Sequence, residues 1–483
     1  MMSTKFLPGR RSFALLCGFA LLVPAAFANN LSISGVTLTD RGGGQADIQF
    51  SMSWDHSWHE SWTESGGAIQ VTNWDAVWVF AKYRQNGGLW KHVRLTAADH
   101  TATGGTVIEV PDDGGGQRPG ALVYRAANGT GTVNCQDMRL RWDLAAQGLP
   151  SSADIDLTVL GVEMVYIPEG AFYLGSGGAE VNHFYQEPDQ ATPYLVASEA
   201  EIAVGGEAGN LNGAEVLAGT LPAAYPKGFA AFYCMKYEIT EGQYVDFLNL
   251  IDPGKVAPFF PNQAGNWRHT IAAAAGGGYE SAAPDRACGY LGAVRAAAYL
   301  DWAGLRPMSE LEFEKACRGV RQPWVDEFVW GNTTLVPLTG LLGADGSGTE
   351  TADPPAANAH SQQTIAGPVR AGIFATASTT REGAGASYYG VMDLGGNLWE
   401  FTVNTRDQAG SRSFDGTHGD GDEYTDPFLV WPGSTYWHYA GRGGAYDAGG
   451  DIGRLRTSAR HGAVGVHSSA VHNVGARGVR TAP

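Results

Sequence analysis

Asp393 and Glu400 flank the pair Gly395-Gly396 in the segment DLGGNLWE. Ca²⁺ takes several hard oxygens in flexible geometry, and carboxylates on either side of a Gly-Gly turn can supply them without steric conflict. The alternative is a tight turn whose carboxylates only cap backbone N–H groups. Cys135, Cys234, Cys288 and Cys317 are the thiols beyond the first thirty residues. No two are spaced C-x-x-C, so neither a zinc site nor a thioredoxin-like redox centre is indicated; an oxidising compartment could pair them in more than one way. His56 and His59 stand three apart among Trp54, Trp58 and Trp62. No further ligand has a recognisable spacing, and the run reads as an aromatic cluster at a sheet edge. His418, His438, His461, His467 and His472 recur near the C-terminus. A facial triad needs two histidines and a carboxylate with open positions, and this spacing matches no such motif, so they read as surface histidines on long loops. The acidic run from Asp415 to Glu423 lacks the Gly-x₅-Glu of an EF-hand and reads as a solvated loop. Arg306, Arg442, Arg456, Arg460, Arg477 and Arg480 are expected to tie loop carbonyls and carboxylates together.

These residues belong to a chain that begins like an exported one. Arg10-Arg11 precede an apolar run from Phe13 to Val23 and then Ala26-Phe27-Ala28, the order of a signal peptide with cleavage after Ala28. Sec and twin-arginine export both fit, and lipidation at Cys17 is disfavoured by the bulk of Leu16. The expected location is the periplasm or the exterior. No longer apolar run follows, so no integral membrane segment is expected. The formal charge of −17 opposes binding to nucleic acid or an anionic membrane. An unidentified protein or small molecule is the expected partner.

Period-two alternation dominates the first part of the chain. Ile48, Phe50, Met52 and Trp54 fall on one face and Asp47, Gln49, Ser51 and Ser53 on the other, the pattern of a half-buried strand. Similar runs recur at 76–83, 89–95, 106–110, 121–126, 138–144 and 154–160, separated by Gly/Asp/Asn clusters such as Asp112-Asp113-Gly114. Residues 29–160 therefore read as an all-β sandwich without helices. Beyond them, polar and Gly/Ala-rich stretches at about 176–227 and about 335–388 read as loop insertions. Thr240 with Gln243 and Ser309 with Glu312 form capping boxes that predict helices starting at Glu241 and Glu310, the second closed by Gly319; a third helix is expected over 292–302.

Six segments then carry a family resemblance: MVYIPEGAFYLGS (164–176), YEITEGQYVDFLN (237–249), AYLDWAGLRPMSELEFEKACRG (298–319), GVMDLGGNLWEFT (390–402), GRGGAY (441–446) and GARGVR (475–480). In order and spacing they resemble the formylglycine-generating enzyme (sulfatase-modifying factor) domain. The resemblance implies an α+β, C-type-lectin-like fold for 161–483, following the β-sandwich. It also implies calcium ligation by the side chains of Asp393 and Glu400 and the carbonyls of Gly396 and Leu398. Asn358 and the Ala359 carbonyl match half of a second calcium site, whose acidic half is not recognisable in 367–370. The family oxidises a sulfatase cysteine to formylglycine with two copper-binding cysteines, and those positions align here with Ala448 and Gly453. No cysteine follows Cys317. Since a methyl group or a hydrogen cannot replace a thiolate as nucleophile or soft ligand, no catalytic residue is assigned and copper is not expected.

The expected function is a non-catalytic binding or scaffold module presenting loops on a lectin-like fold. Two alternatives stand beside it: a divergent metal-dependent oxidase of the formylglycine-generating/non-haem iron superfamily using the C-terminal histidines, and a retroelement-diversified ligand-display protein with its variable stretch over 447–474.

Overall fold

The computed structural model describes residues 30–64, 69–407, 409–422, 431–433, 436–463 and 470–483; residues 1–28, expected as a signal peptide, and His467 lie outside them. The main strands of the first part are β1 (Ser32–Gly42), β2 (Gln45–Thr63), β3 (Gln70–Gln85), β4 (Ala121–Arg125), β5 (Gly129–Asp143) and β6 (Ile155–Ile167). Among the described residues up to 160 there is no helix. The later elements are β7 (Phe232–Met235), α1 (Glu241–Asn249), α2 (Ala293–Trp302), β8 (Arg306–Ser309), α3 (Glu310–Arg318), β9 (Glu400–Val403), β10 (Tyr439–Arg442) and β11 (Gly478–Thr481). Strands dominate over the three α-helices. Both capping boxes form as the sequence predicts, and Gly319 ends α3 with φ at 69°. Gly292 is the cap of α2 rather than its first helical residue.

One continuous sheet runs in the order β1-β2-β3-β6-β7-β11-β8-β9-β10. Its pairings along this path are antiparallel except β8 with β9. Residue 160, where the composition changes, falls inside β6. That strand pairs with β3 over residues 155–165 and with β7 over 164–167. A composition change marks where sequence character shifts, whereas a strand ends only where its ladder does.

Period-two alternation is expected over 76–83, but both faces of β3 are covered and the strand is buried almost continuously from Asp75 to Tyr83. Val77, Val79, Ala81 and Tyr83 enter a cluster with Ile48, Phe50, Met52 and Trp54 of β2. Ala76, Trp78 and Phe80 enter another with Tyr299 and Trp302 of α2. Polar groups follow the same geometry. Trp78 Nε1 donates to the Ala303 carbonyl at 2.8 Å. Lys82, fully buried, donates to His92 Nδ1 at 2.8 Å, to the Trp302 carbonyl at 2.7 Å and to the Gly421 carbonyl. A third cluster gathers Val165 and Ile167 of β6, Phe232 and Cys234 of β7, and Phe313 of α3. No helix among the described residues is long and apolar enough to cross a membrane.

The stretch 176–227, expected as a loop, carries short strands instead. Tyr185–Gln186, Ile202–Val204, Leu211–Asn212 and Gly219–Leu221 form a small sheet. Phe184, Ile202, Val204, Leu211, Leu221 and Tyr225 join the α1/α2 core. Two or three apolar residues between Gly and Asn are too few for a period-two signal, and tertiary packing decides their conformation. Residues 335–388 contain the short hairpin Gly340–Leu342 with Thr351–Asp353, packed on a small cluster around Leu338 and Val369.

At the β3–β6–β7 junction, Lys236 lies 3.3 Å from Glu163 and 3.5 Å from Asp75, all buried. Burial pushes the Glu163 carboxyl up to about 7 against the attraction of Lys236. Its folded pKa thus exceeds the unfolded one, and its contribution to stability falls as pH rises from about 4.5 through about 7. Denaturant midpoints measured across that window should decline more steeply in the native chain than in Glu163→Gln. Equal slopes would contradict this reading.

Candidate functional site

The segment 393–400 makes a sharp reversal before entering β9. Asp393, Gly396 and Asn397 have φ of 57°, 92° and 59°, a region that Gly, Asn and Asp tolerate best. A Cβ on Gly396 would lie 2.6 Å from the His360 carbonyl, so that position admits only glycine. The turn is pinned from several sides. Gly396 N–H donates to the Gly443 carbonyl, Asn397 N–H to the His360 carbonyl, and Asn397 Oδ1 accepts from Val369 N–H, each at 2.9 Å. Glu238, three residues beyond the end of β7, accepts from Asn397 Nδ2 at 2.5 Å and Leu398 N–H at 3.0 Å.

Three buried carboxylates meet in this turn. Asp393 accepts the Gly372 N–H at 2.6 Å. Glu400 Oε1 takes Arg477 Nε at 2.6 Å, and Arg477 also donates to the Met235 carbonyl. Glu400 Oε2 is buried with no hydrogen-bond partner among the described residues. Desolvation raises the pKa of Glu238, Asp393 and Glu400; Asp393 and Glu400 raise Glu238 further, and Arg477 opposes the shift in all three. Among the described residues Arg477 is the only cation that bonds any of them. An orphaned carboxylate oxygen in a carboxylate-rich turn fits a hard divalent cation. Asp393, Glu400 and the carbonyls of Gly396 and Leu398 are the groups that would hold it. No three His, Cys, Asp or Glu side chains among the described residues are grouped as a metal set, and a cage of two carboxylates completed by carbonyls does not require one. Glu238 escaped the sequence reading because only the fold brings it to the turn.

The residues matched to a second calcium site are otherwise engaged. Asn358 Oδ1 accepts from Val336 N–H at 2.9 Å, its Nδ2 donates to the Thr334 and Glu382 carbonyls, and the Ala359 carbonyl accepts from Leu338 N–H. Arg370 stands in the segment that would supply the acidic half, donating to the Glu350 carbonyl.

Ala448 is buried in the cluster with Phe313 and Leu455, and Gly453 lies in the short 3-10 turn Ile452–Leu455. Neither offers a donor atom on a side chain, so the positions do not fit copper, and no step through it follows. The four cysteines among the described residues are free and buried. Burial pushes Cys234 up to about 12 and Cys288 and Cys317 well above the usual thiol value, the opposite of what a reactive thiolate needs.

The C-terminal histidines are held apart. His418 Nε2 accepts from Thr481 N–H at 3.0 Å, His438 Nδ1 is 3.0 Å from the Gly433 carbonyl, and His461 Nε2 lies 3.2 Å from Asp451 Oδ2. His472 belongs to a different group. Its Nδ1 is 2.5 Å from the Tyr446 hydroxyl, and its ring stacks on Trp267 at 4.2 Å. Tyr290 approaches His472 edge-on, and Asn473 Nδ2 donates to both oxygens of Asp447. This aromatic patch was not foreseen, since Trp267 and Tyr290 are remote in sequence from Tyr446 and His472. The N-terminal pair does not converge either: His59 Nδ1 meets Asn128 Oδ1 at 2.7 Å while its ring stacks on Trp74. The arginines behave as expected, with Arg306 on Glu312, Arg442 on Glu314, Arg456 on Asp326 and Arg460 on Glu310.

No curated protein matches the chain. Residues 156–482 match the sulfatase-modifying factor enzyme 1-like domain. That span covers more than half of the chain, starts inside β6 and includes all six family-like segments as well as the carboxylate turn. The chain therefore belongs to the sulfatase-modifying factor, or formylglycine-generating enzyme, family.

Proposed function

We propose that this family member is an exported, non-catalytic binding module whose loops are held by calcium. The observation that carries the reading is the replacement of both copper-binding thiols, by the Ala448 methyl and the Gly453 hydrogen, in a chain whose remaining thiols are buried with raised pKa values. The thiolate is at once nucleophile and soft ligand in this chemistry, and no nearby group can stand in for it. Support for a ligand surface comes from Trp267 stacked on half-buried His472, the two backed by the buried rings of Tyr290 and Tyr446. Trp267 is 37% exposed, and large aromatic faces bearing polar edges suit recognition. Calcium is supported by the orphaned Glu400 oxygen and by three buried carboxylates of which only Glu400 is bonded by a guanidinium. Export is supported by the order of Arg10-Arg11, the apolar run and Ala26-Phe27-Ala28. We read residues 29–160 as a β-sandwich, which the shared cluster of β2, β3 and β5 side chains supports, and assign it an attachment role.

Incubated with copper(I), oxygen and a cysteine peptide bearing a sulfatase recognition motif, the purified chain should leave the thiol unoxidised. Mass-spectrometric detection of the aldehyde product at turnover would overturn the non-catalytic reading.

Chelation should lower the melting temperature, and calcium, in preference to magnesium, should restore it. At free calcium about 100-fold above Kd the stabilisation amounts to about 2.7 kcal/mol. Glu400→Gln should abolish the calcium response. Identical melts with and without chelator would remove calcium from the account.

A further inference from the structure

The tryptophans beside His56 and His59 take no part in the sites above. Strand β2 carries a bulge between Trp54 and Ser57, with His56 at φ 54°. A bulge bends its strand and re-aims the side chains beyond it. Trp54 stays in the β2–β3 core, whereas Trp58 and Trp62 pack on the cluster built by β6, β7 and α3. There Trp58, Glu60 and Trp62 form one wall of a cleft of about 350 Å³, with residues 375–392 opposite.

The rings in this cleft are fixed before any ligand arrives. Trp58 Nε1 donates to Asn73 Oδ1 at 2.6 Å, and the Lys236 ammonium lies 4.8 Å from its ring centre. Trp62 Nε1 donates to Glu64 at 3.0 Å and to the Tyr388 hydroxyl at 3.2 Å. The cleft's permanent cations are already engaged, and exposed His56 lies beside Asp55. Lys236 faces Asp75 and Glu163. Arg381, stacked near Tyr388, donates to the Val329, Cys317 and Ala386 carbonyls. What remains for a ligand is flat aromatic surface, the exposed Glu60 carboxylate, and the spare lone pairs of the Thr376, Thr379 and Thr380 hydroxyls, each of which also bonds within its own loop.

We propose that this cleft between the N-terminal strands and the family domain binds a neutral pyranose sugar unit. The C–H face of such a ring packs on tryptophan and tyrosine, and its hydroxyls meet threonine hydroxyls and a carboxylate, each able to accept. An anion would find no disengaged lysine or arginine, only His56 beside Asp55, and would approach Glu60. A cation would meet Lys236 and Arg381. Mostly apolar walls with a few convergent polar groups, between two parts of the chain, are the usual setting of a small-molecule site.

The test is calorimetric and fluorescence titration of the full-length processed protein with the methyl glycosides of glucose, galactose, mannose and N-acetylglucosamine, beside choline and benzoate. At least one glycoside should saturate with Kd on the order of 1 mM or tighter. Trp62→Ala should weaken it at least tenfold, and Trp62→Phe much less. Trp324→Ala, at a position 68% exposed and away from the cleft, should leave it unchanged. Should Trp62→Ala fail to fold, Glu60→Ala at the exposed mouth provides the same test, with a loss of roughly tenfold for one charged hydrogen bond. Failure of all four glycosides to saturate, saturation by choline or benzoate instead, or undiminished binding by folded Trp62→Ala or Glu60→Ala would overturn the proposal.

Discussion

A carboxylate removed from water must find a cation or several N–H donors, or it will take up a proton. The family domain buries many carboxylates and answers most of them with arginine. Helix α3 shows the pattern most fully. Glu310, Glu312 and Glu314 are all buried, and Arg460, Arg306 and Arg442 bond them in turn, with Arg318 bridging Glu314 and Glu327. Loops far apart in sequence are thereby fixed to one helix. The turn at 393–400 departs from this pattern, because Arg477 bonds Glu400 alone, while Glu238 and Asp393 have only amide N–H donors. That shortage is the physical reason to place a divalent cation there rather than another salt bridge.

The same economy of positions governs the sheet. Because β3 is covered on both faces and β6 continues from it to β7, the N-terminal strands and the family domain share one hydrogen-bonded ladder. The buried Lys82, bonded to a histidine and two carbonyls, adds a polar tie across that contact. Walls contributed by both parts are therefore held in register by backbone hydrogen bonds, and the aromatic rings between them keep fixed positions.

How legible this was in the sequence depended on the range of the signal. The capping boxes at Thr240 and Ser309 are local chemistry, and both helices begin where those residues place them. Alternation in Ile48–Trp54 reports a half-buried strand and was read correctly, but it carries no warning of the bulge that follows. The short strands in 176–227 leave no period to detect. Asp393 and Glu400 were visible because a Gly-Gly turn brings them together locally. Glu238 and the Trp267–His472 stack were not, since contacts between residues so distant in the chain exist only after folding. That Ala448 and Gly453 carry no thiol is plain in the sequence itself; the dispersal of His418, His438, His461 and His472, each on a separate hydrogen-bond partner, needed the fold.

The account separates a structural metal from a redox metal, and elemental analysis of the protein purified without chelators tests that division most directly. It predicts calcium at about one ion per chain, the occupancy of one carboxylate-and-carbonyl cage, with neither copper nor iron near stoichiometric amounts. Stoichiometric copper or iron, retained through gel filtration, would contradict it.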